Sequence, residues 1–327
     1  MKKLLLLLPL LCLVAATTAR AQGPNNSGTY YRNADGKQGQ ALKSALCGII
    51  KSHTQRSYKD LWTDFRTTDK RSDGKVWDMY SGTTNYTFGT DQAGSYSKEG
   101  DVYNREHSLP NSWFGGDKQS EMYTDLFHMY PTDGYVNNRR SNYPFGETSR
   151  PTYTSNGGFS RLGPSSVSGY SGTVFEPNDE YKGDFARTYF YIITCYEDQI
   201  ATWDSDMLDG RKYPGFTQWA LQLLLRWSEQ DPVSQKELNR NSAVYGIQHN
   251  RNPYIDYPGL ERLVWGDRQD VSFSYDDYEG RLRVDGIRTE PDATDDRTYN
   301  TKGQRVSPDR PVTPGLYIRQ GRKYVVK

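Results

Sequence analysis

The stretch KGDFARTYFYIITCYEDQI, residues 182–200, constrains the fold more than any other part of the chain. Apolar and aromatic side chains follow one another so closely that a helix built from it is hydrophobic almost all round. Such a helix is central and must be wrapped by other elements on every side. The chain has 327 residues, enough for one large domain or two ordinary ones at roughly 100–200 residues each. Candidates for the wrapping are easily found. QALKSALCGIIKSHTQRSYKDLWTDF (40–65) places Leu42, Leu46, Ile49 and Ile50, then Tyr58, Leu61 and Trp62, at helical spacing. GFTQWALQLLLRWSEQDP (215–232) is a second helical pattern, closed by Pro232. QHNRNPYIDYPGLERLVWG (248–266) reads as a polar turn followed by a short aromatic helix. Residues 67–100 are rich in Gly, Ser, Asp and Thr, with short strand-like pieces in KVWDMYS and NYTFGT. No internal repeat is present.

The two ends read differently. Residues 1–21 have the form of a secretory signal peptide. Lys2 and Lys3 form the positive start, Leu4 to Ala16 the apolar run, and Ala19-Arg20-Ala21 the cleavage site. The run is too short to span a bilayer, and no later segment is apolar enough to do so. Leu11 stands where a lipid anchor on Cys12 would need a small residue, which argues against lipidation. A secreted or periplasmic protein is expected, a monomer without a membrane span. Removing the leader leaves 38 basic against 40 acidic residues, a net of −2. Any nucleic-acid binding must then come from a local patch or a metal rather than from overall charge. Cys47 and Cys195 remain, and an oxidising compartment would permit a disulfide between them; two buried thiols are the alternative. From about residue 286 an acidic linker leads into a small β unit, with turns at Lys302-Gly303 and Gln320-Gly321. The expected organisation is a leader at 1–21, a catalytic domain at 22–285 and a C-terminal module at 286–327.

The chemistry-bearing residues gather between these ends. VYNREHSLPNSWFGG (102–116) sets Arg105, Glu106 and His107 side by side. TDLFHMYPTDGYVNNRRSNYPFG (124–146) then reads as strand, turn and short helix. Pro131 closes the strand, Thr132 or Asp133 caps a helix running to about Asn142, and Pro144 prevents its continuation. Phosphodiester hydrolysis needs a water deprotonated, which suits a neutral histidine with a pKa near ~6.5. It needs positive charge at the phosphate and the leaving oxygen, which suits a hard divalent ion on oxygen ligands. An arginine can grip a phosphate with two donors. His107 supplies the base, Glu106 and Asn137 the oxygen ligands and Arg140 the clamp. Asn138 and Asn142 are alternative ligands. Asn137 and Arg140 are three apart and share a helix face, whereas Arg139 points elsewhere. Neighbours in a flat strand face opposite sides, so Glu106 and His107 can share a cleft only at a strand end or a bulge. Ser108 and Pro110 make a strand end there. Arg105 reads as a flanking cation or structural partner, His53 as a surface or capping histidine, His249 as a turn residue and His128 as a packing or supporting group.

The run NREHSLPNSWFGG followed by DLFHMYPTDGYVNNRRSNYPFG resembles the bacterial endonuclease I family of secreted and periplasmic nucleases. GDFARTYFYIITCYE and NRNPYIDYP are similar to further blocks of that family, and the likeness spans roughly residues 40–270. The resemblance implies an α+β fold: a mixed helical domain with a small β-sheet and a ββα-metal (His-Me) finger. It implies His107 as general base, Glu106 and Asn137 as ligands of one divalent ion (Mg²⁺, with Mn²⁺ or Ca²⁺ as alternatives) and Arg140 near the scissile phosphate. It implies cleavage of DNA, and often of RNA too, with little sequence preference and 5′-phosphate ends. The C-terminal unit lies outside that core. It is similar to short modules on exported proteins of Bacteroidetes, where such tails can direct secretion. Two other functions fit the same residues: a surface nucleic-acid or glycan binder on a nuclease scaffold without turnover, and a metal phosphodiesterase acting on other esters. A plasmid-cleavage assay separates the first, and a panel of small phosphodiesters the second.

Overall fold

The computed structural model of the chain describes residues 22–282 and the strands at 298–300, 305–306, 315–319 and 322–326. The expected leader at 1–21, the acidic linker and the 285/286 boundary lie outside these residues. The chain divides into a unit ending at Tyr278 and a second unit from Glu279.

The first unit is α+β. Its elements in order are α1 (Gly39–Ile50), α2 (Leu61–Thr68), β1 (Tyr103–His107), β2 (Met129–Asp133), α3 (Gly134–Arg140), β3 (Tyr153–Thr154), β4 (Arg161–Pro164), β5 (Thr173–Glu176), α4 (Lys182–Cys195), α5 (Gln218–Gln230), α6 (Gln235–Gln248), α7 (Pro253–Asp256) and α8 (Leu260–Val264). The strands form two small antiparallel sheets, β1–β2 and β3–β4–β5. Among the described residues no helix is long and apolar enough to cross a membrane. In the second unit, four strands at Thr298–Asn300 (β6), Arg305–Val306 (β7), Gly315–Arg319 (β8) and Arg322–Val326 (β9) pair antiparallel in the order β7-β6-β8-β9.

Helix α4 is the core that its sequence demands. All of its residues from Lys182 to Cys195 are buried, and α1, α5 and α7 pack on it. Phe, Tyr, Thr and Ile are only middling helix formers, so this helix owes its stability to packing rather than propensity. Each large apolar side chain taken fully from water contributes ~1.5–3 kcal/mol, and Phe185, Tyr189, Phe190, Ile192 and Ile193 are all fully buried. At its start Gly183 donates its N–H to Asp231 Oδ2 at 2.8 Å. A Cβ at Gly183 would lie 2.0 Å from the Asp231 carbonyl oxygen, so only glycine admits this approach. Polar groups on the helix are matched rather than exposed. Arg187 pairs with Glu237 of α6, at 2.6 Å and 2.9 Å.

Several expectations are revised. Pro131 does not end a strand but sits inside β2, opposite Arg105. The ladder bonds beyond the two ends of the pair are Ser108 N–H to His128 O and Gly134 N–H to Val102 O. Alternation inward from them puts Arg105 and Pro131 at a non-hydrogen-bonded position, where a missing N–H costs nothing. The LFH segment forms a turn before β2, because Asp125 Oδ1 accepts from Phe127 N at 2.9 Å and its carbonyl accepts from His128 N at 3.1 Å. KVWDMYS and NYTFGT form no strand: Val76 makes an isolated bridge with Lys70 and donates its N–H to the Tyr86 carbonyl at 3.0 Å. Residues 40–65 break into α1 and the start of α2, with His53 in the loop between. Cys47 and Cys195 are free buried thiols. Packing of α1 against α4 brings Cys47 Sγ to the Cys195 carbonyl at 3.6 Å, while Cys195 Sγ turns toward the Ile50 carbonyl at 3.7 Å.

Candidate active site

Strands β1 and β2 pair with Glu106 opposite Tyr130 and His107 opposite Met129, and α3 follows β2 without a loop. The junction is built by Asp133. Its Oδ1 accepts from Val136 N at 2.8 Å, capping α3, and its Oδ2 accepts from Tyr86 Oη and from Gly100 N. Gly134 follows because a Cβ there would meet Asn104 Nδ2 at 2.9 Å and the Tyr96 ring at 3.0 Å. The far ends of the strands are fixed from the core. Tyr189 of α4 donates to the Ser108 carbonyl at 2.8 Å, and Arg240 of α6 donates to the carbonyls of Leu126 (2.7 Å) and Met129 (2.8 Å).

These elements surround a cleft of about 310 Å³ whose lining includes Glu106, His107, Asn137 and Arg140. The strand ends at His107, so the two neighbours do share one cleft. Asn138 and Asn142 also line it. Arg139 is exposed and turns to the ring and hydroxyl of Tyr135, away from this group.

His107 is buried, and its Nε2 lies 2.9 Å from the Tyr123 carbonyl. A carbonyl can only accept, so Nε2 carries the hydrogen and Nδ1 keeps a bare lone pair. The ring is held by Tyr58, near-parallel at 6.1 Å and 18°, and by Tyr123 at 4.5 Å. Burial, reinforced by the positive charge that His128 would carry when protonated, pushes the His107 imidazole down to about 3. It is neutral at any physiological pH, which is the form able to take a proton.

Glu106 is 5% exposed. Its Oε1 accepts from Tyr80 Oη at 2.8 Å and from Arg140 Nη1 at 2.7 Å. Burial pushes its carboxyl up, against the Arg140 charge and hydrogen bonds from Tyr80, Arg140 and Asn137. Both strong bonds fall on Oε1, and the Asn137 side chain is a further hydrogen-bond partner of the carboxylate. A carboxylate oxygen and an amide oxygen are hard donors, and this pair fits Mg²⁺, Mn²⁺ or Ca²⁺ with water completing the shell. It does not suit a soft ion.

Arg140 is placed differently from a free clamp. It is 1% exposed, and its donors go to Glu106 and to the carbonyls of His107 (3.0 Å), Ser108 (2.6 Å) and Tyr143 (3.2 Å). These contacts make it a brace for Glu106 and for the chain leaving β1. Arg105 is likewise structural. Its guanidinium lies 3.6 Å from the centre of the Tyr58 ring and 4.3 Å from that of Trp62, and it donates to the Tyr58 carbonyl. His128 is fully buried against the Met122 carbonyl, with its ring 5.5 Å from that of His107. Tyr58, Tyr80 and Tyr123 support the site without standing out for it in the sequence: Tyr58 lies in the helical run 40–65, Tyr80 in the strand-like KVWDMYS, and Tyr123 between the two motif blocks. Only their aromatic character, shared with many other tyrosines of the chain, could have marked them.

A family model described as Endonuclease I matches residues 38–259. The extracellular ribonuclease of Bacillus amyloliquefaciens is 36% identical over 248 residues, covering 72% of this chain and 78% of that protein. The extracellular ribonuclease of Bacillus subtilis (strain 168) is 36% identical over 243 residues, with the same coverage. The Endonuclease-1 of Buchnera aphidicola subsp. Baizongia pistaciae is 27% identical over 132 residues, 40% of this chain and 46% of that protein.

Proposed function

The chain belongs to the endonuclease I family, and on that premise we propose that it is an exported, divalent-metal-dependent endonuclease of low sequence preference that cleaves both DNA and RNA. The observation that carries this reading is the cleft joining a neutral histidine, with its Nδ1 lone pair free, to a braced carboxylate and an asparagine amide. The β1–β2–α3 unit then serves as a ββα-metal finger. RNA joins DNA as a substrate because two relatives, each 36% identical and matched over 78% of their own length, are named extracellular ribonucleases. Export rests on those names and on the leader-like residues 1–21.

His107 Nδ1 takes a proton from water, and the oxygen attacks phosphorus in line with the departing O3′. The P–O3′ bond breaks, the O3′ leaves with a proton from solvent, and the 5′-phosphate stays on the other fragment. The Tyr123 carbonyl shares the charge that His107 gains. A divalent ion held by Glu106 and Asn137 supplies positive charge to the phosphate and the leaving oxygen. Arg140 keeps Glu106 ionised and oriented, and its charge remains in the cleft wall as a field on the phosphate. An anionic phosphate beside His107 raises its basicity from the depressed value of the free protein. Binding through backbone phosphates weakens as salt rises.

The test is cleavage of plasmid DNA and of a structureless RNA by the purified protein with Mg²⁺, before and after chelation. Full activity in chelator, or in His107→Ala, overturns the mechanism. A gel shift with intact nucleic acid at saturating Mg²⁺ overturns the enzyme and leaves a binder.

A further inference from the structure

Away from the cleft, three donors of different chemistry meet beside a cavity of about 580 Å³. His53 comes from the loop after α1, Asp125 from the turn before β2, and Cys195 from the last position of α4. Their ligating atoms lie within 4.8 Å of one another.

His53 Nδ1 lies 3.2 Å from the Lys51 carbonyl, so that nitrogen bears a hydrogen, and in the neutral ring Nε2 is the lone pair. Nε2 is buried and has no hydrogen-bond partner. It faces Asp125 Oδ2 at 3.8 Å, with the two side chains 1% and 0% exposed. Two acceptors thus confront each other across a gap too long for a hydrogen bond. The Asp125 carboxylate accepts only from neutral donors: the hydroxyls of Tyr191 and Tyr196 at 2.8 Å, Gln248 Nε2 at 3.0 Å and Phe127 N at 2.9 Å. No lysine or arginine pairs with it among the described residues. A buried charge without a fixed counter-ion calls for a cation. Cys195 Sγ makes only weak contacts, a long one to the Ile50 carbonyl at 3.7 Å and a side-chain hydrogen bond with Tyr191, which itself also donates to Asp125.

We propose that His53, Asp125 and Cys195 bind one divalent ion of borderline softness, Zn²⁺ above all, with a water from the adjoining cavity as fourth ligand. The nitrogen, oxygen and sulfur set selects such an ion over Mg²⁺ and Ca²⁺, which take oxygen alone. Zn–N and Zn–O bonds add to about 4.1 Å, so the 3.8 Å gap accommodates an ion at a bent N–Zn–O angle. The Cys195 thiol, within 4.8 Å of the other two donors, draws in to form a Zn–S bond of ~2.3 Å. On binding, the S–H bond breaks, a Zn–S bond forms and the proton leaves to water. The ion ties the α1–α2 loop, the turn before β2 and the end of α4 together, and it is chemically distinct from the ion of the cleft.

The full chain, stripped with chelator, is dialysed against Zn²⁺ in large excess Mg²⁺ and its metal content measured. One Zn²⁺ per chain is expected. With Co²⁺ instead, wild type is expected to show thiolate-to-metal charge-transfer absorption. Cys195→Ser abolishes that band, His53→Gln lowers Zn²⁺ retention at least tenfold, and Glu106→Gln leaves both unchanged. Near-ultraviolet circular dichroism checks that each variant is folded. The wild-type cobalt spectrum needs no variant and decides the matter if one fails to fold. Absence of retained Zn²⁺, a cobalt complex without a thiolate band, or loss of Zn²⁺ in Glu106→Gln but not in His53→Gln overturns the site.

Discussion

Replacing Arg140 by methionine distinguishes a brace from a clamp. Arg140 and Glu106 form an ion pair at 2.7 Å with side chains 1% and 7% exposed, so solvent screens little of it. Removing one partner of a buried pair costs ~3–5 kcal/mol, because the other charge is left unpaired. For a unit of this size ~1 kcal/mol corresponds to about 2–4 °C in Tm. Arg140→Met is therefore expected to melt roughly 6–20 °C below wild type. Burial already pushes the Glu106 carboxyl up, and the arginine is the strongest opposing influence. Without it the carboxyl rises further and holds its proton more tightly, and a protonated acid is a poor ligand for a hard cation. Mg²⁺ affinity should fall with stability. It should recover toward alkaline pH as Glu106 regains its charge, while wild type responds less. Differential scanning calorimetry and calorimetric Mg²⁺ titration at several pH values read both effects. Wild-type Tm and wild-type Mg²⁺ affinity together with lost turnover would refute the reasoning and assign Arg140 to the phosphate itself.

His107→Ala should abolish most cleavage of plasmid DNA while calorimetric Mg²⁺ binding persists; Glu106→Gln should weaken the binding itself. Asp78 is buried, and burial, opposed by the Tyr80 N–H and the Thr84 hydroxyl, leaves it raised to about 7. A carboxyl raised in the folded state holds its proton more tightly there than unfolded, so stability falls as pH climbs from the unfolded value through about 7. Asp78→Asn should flatten that slope in denaturant melts recorded across this window; an unchanged slope would contradict it. Ser234 closes α6 with a reciprocal capping box with Glu237. Ser234→Ala should cost ~1 kcal/mol in urea unfolding, and no change in midpoint would show that the Glu237–Arg187 pair alone holds that end.

What the sequence made legible follows period and local chemistry. The continuous apolar run of α4 could only be a buried helix. The Asp133 cap and the three-residue step from Asn137 to Arg140 placed two cleft residues on one face. Other features depend on partners far along the chain. Arg140 reads as a phosphate clamp until the carbonyls of His107 and Ser108, 33 and 32 residues away, close around it. Pro131 looks like a strand stop until the pairing phase of β1 is known. The short β3–β5 sheet escaped notice because two to four residues give no period to read. Helix α6 has a weak amphipathic pattern, and its buried face is mostly polar: Glu237, Arg240, Asn241 and Gln248 lie there with Val244. Its capping sequence, Ser234 to Glu237 just after Pro232, was the signal available for it.

Helix α4 also sets a distance. Tyr189 holds the carbonyl next to His107, and Cys195 stands at the proposed zinc site, six residues further along the same helix. Six residues rise about 9 Å along an α-helix. Buried from end to end, α4 is a ruler that cannot slide, and the separation of the two sites is graduated in its turns. An insertion of one residue between Tyr189 and Cys195 would rotate one mark against the other by about 100°, at 3.6 residues per turn. The nuclease cleft and the zinc ligands could then not both be in register.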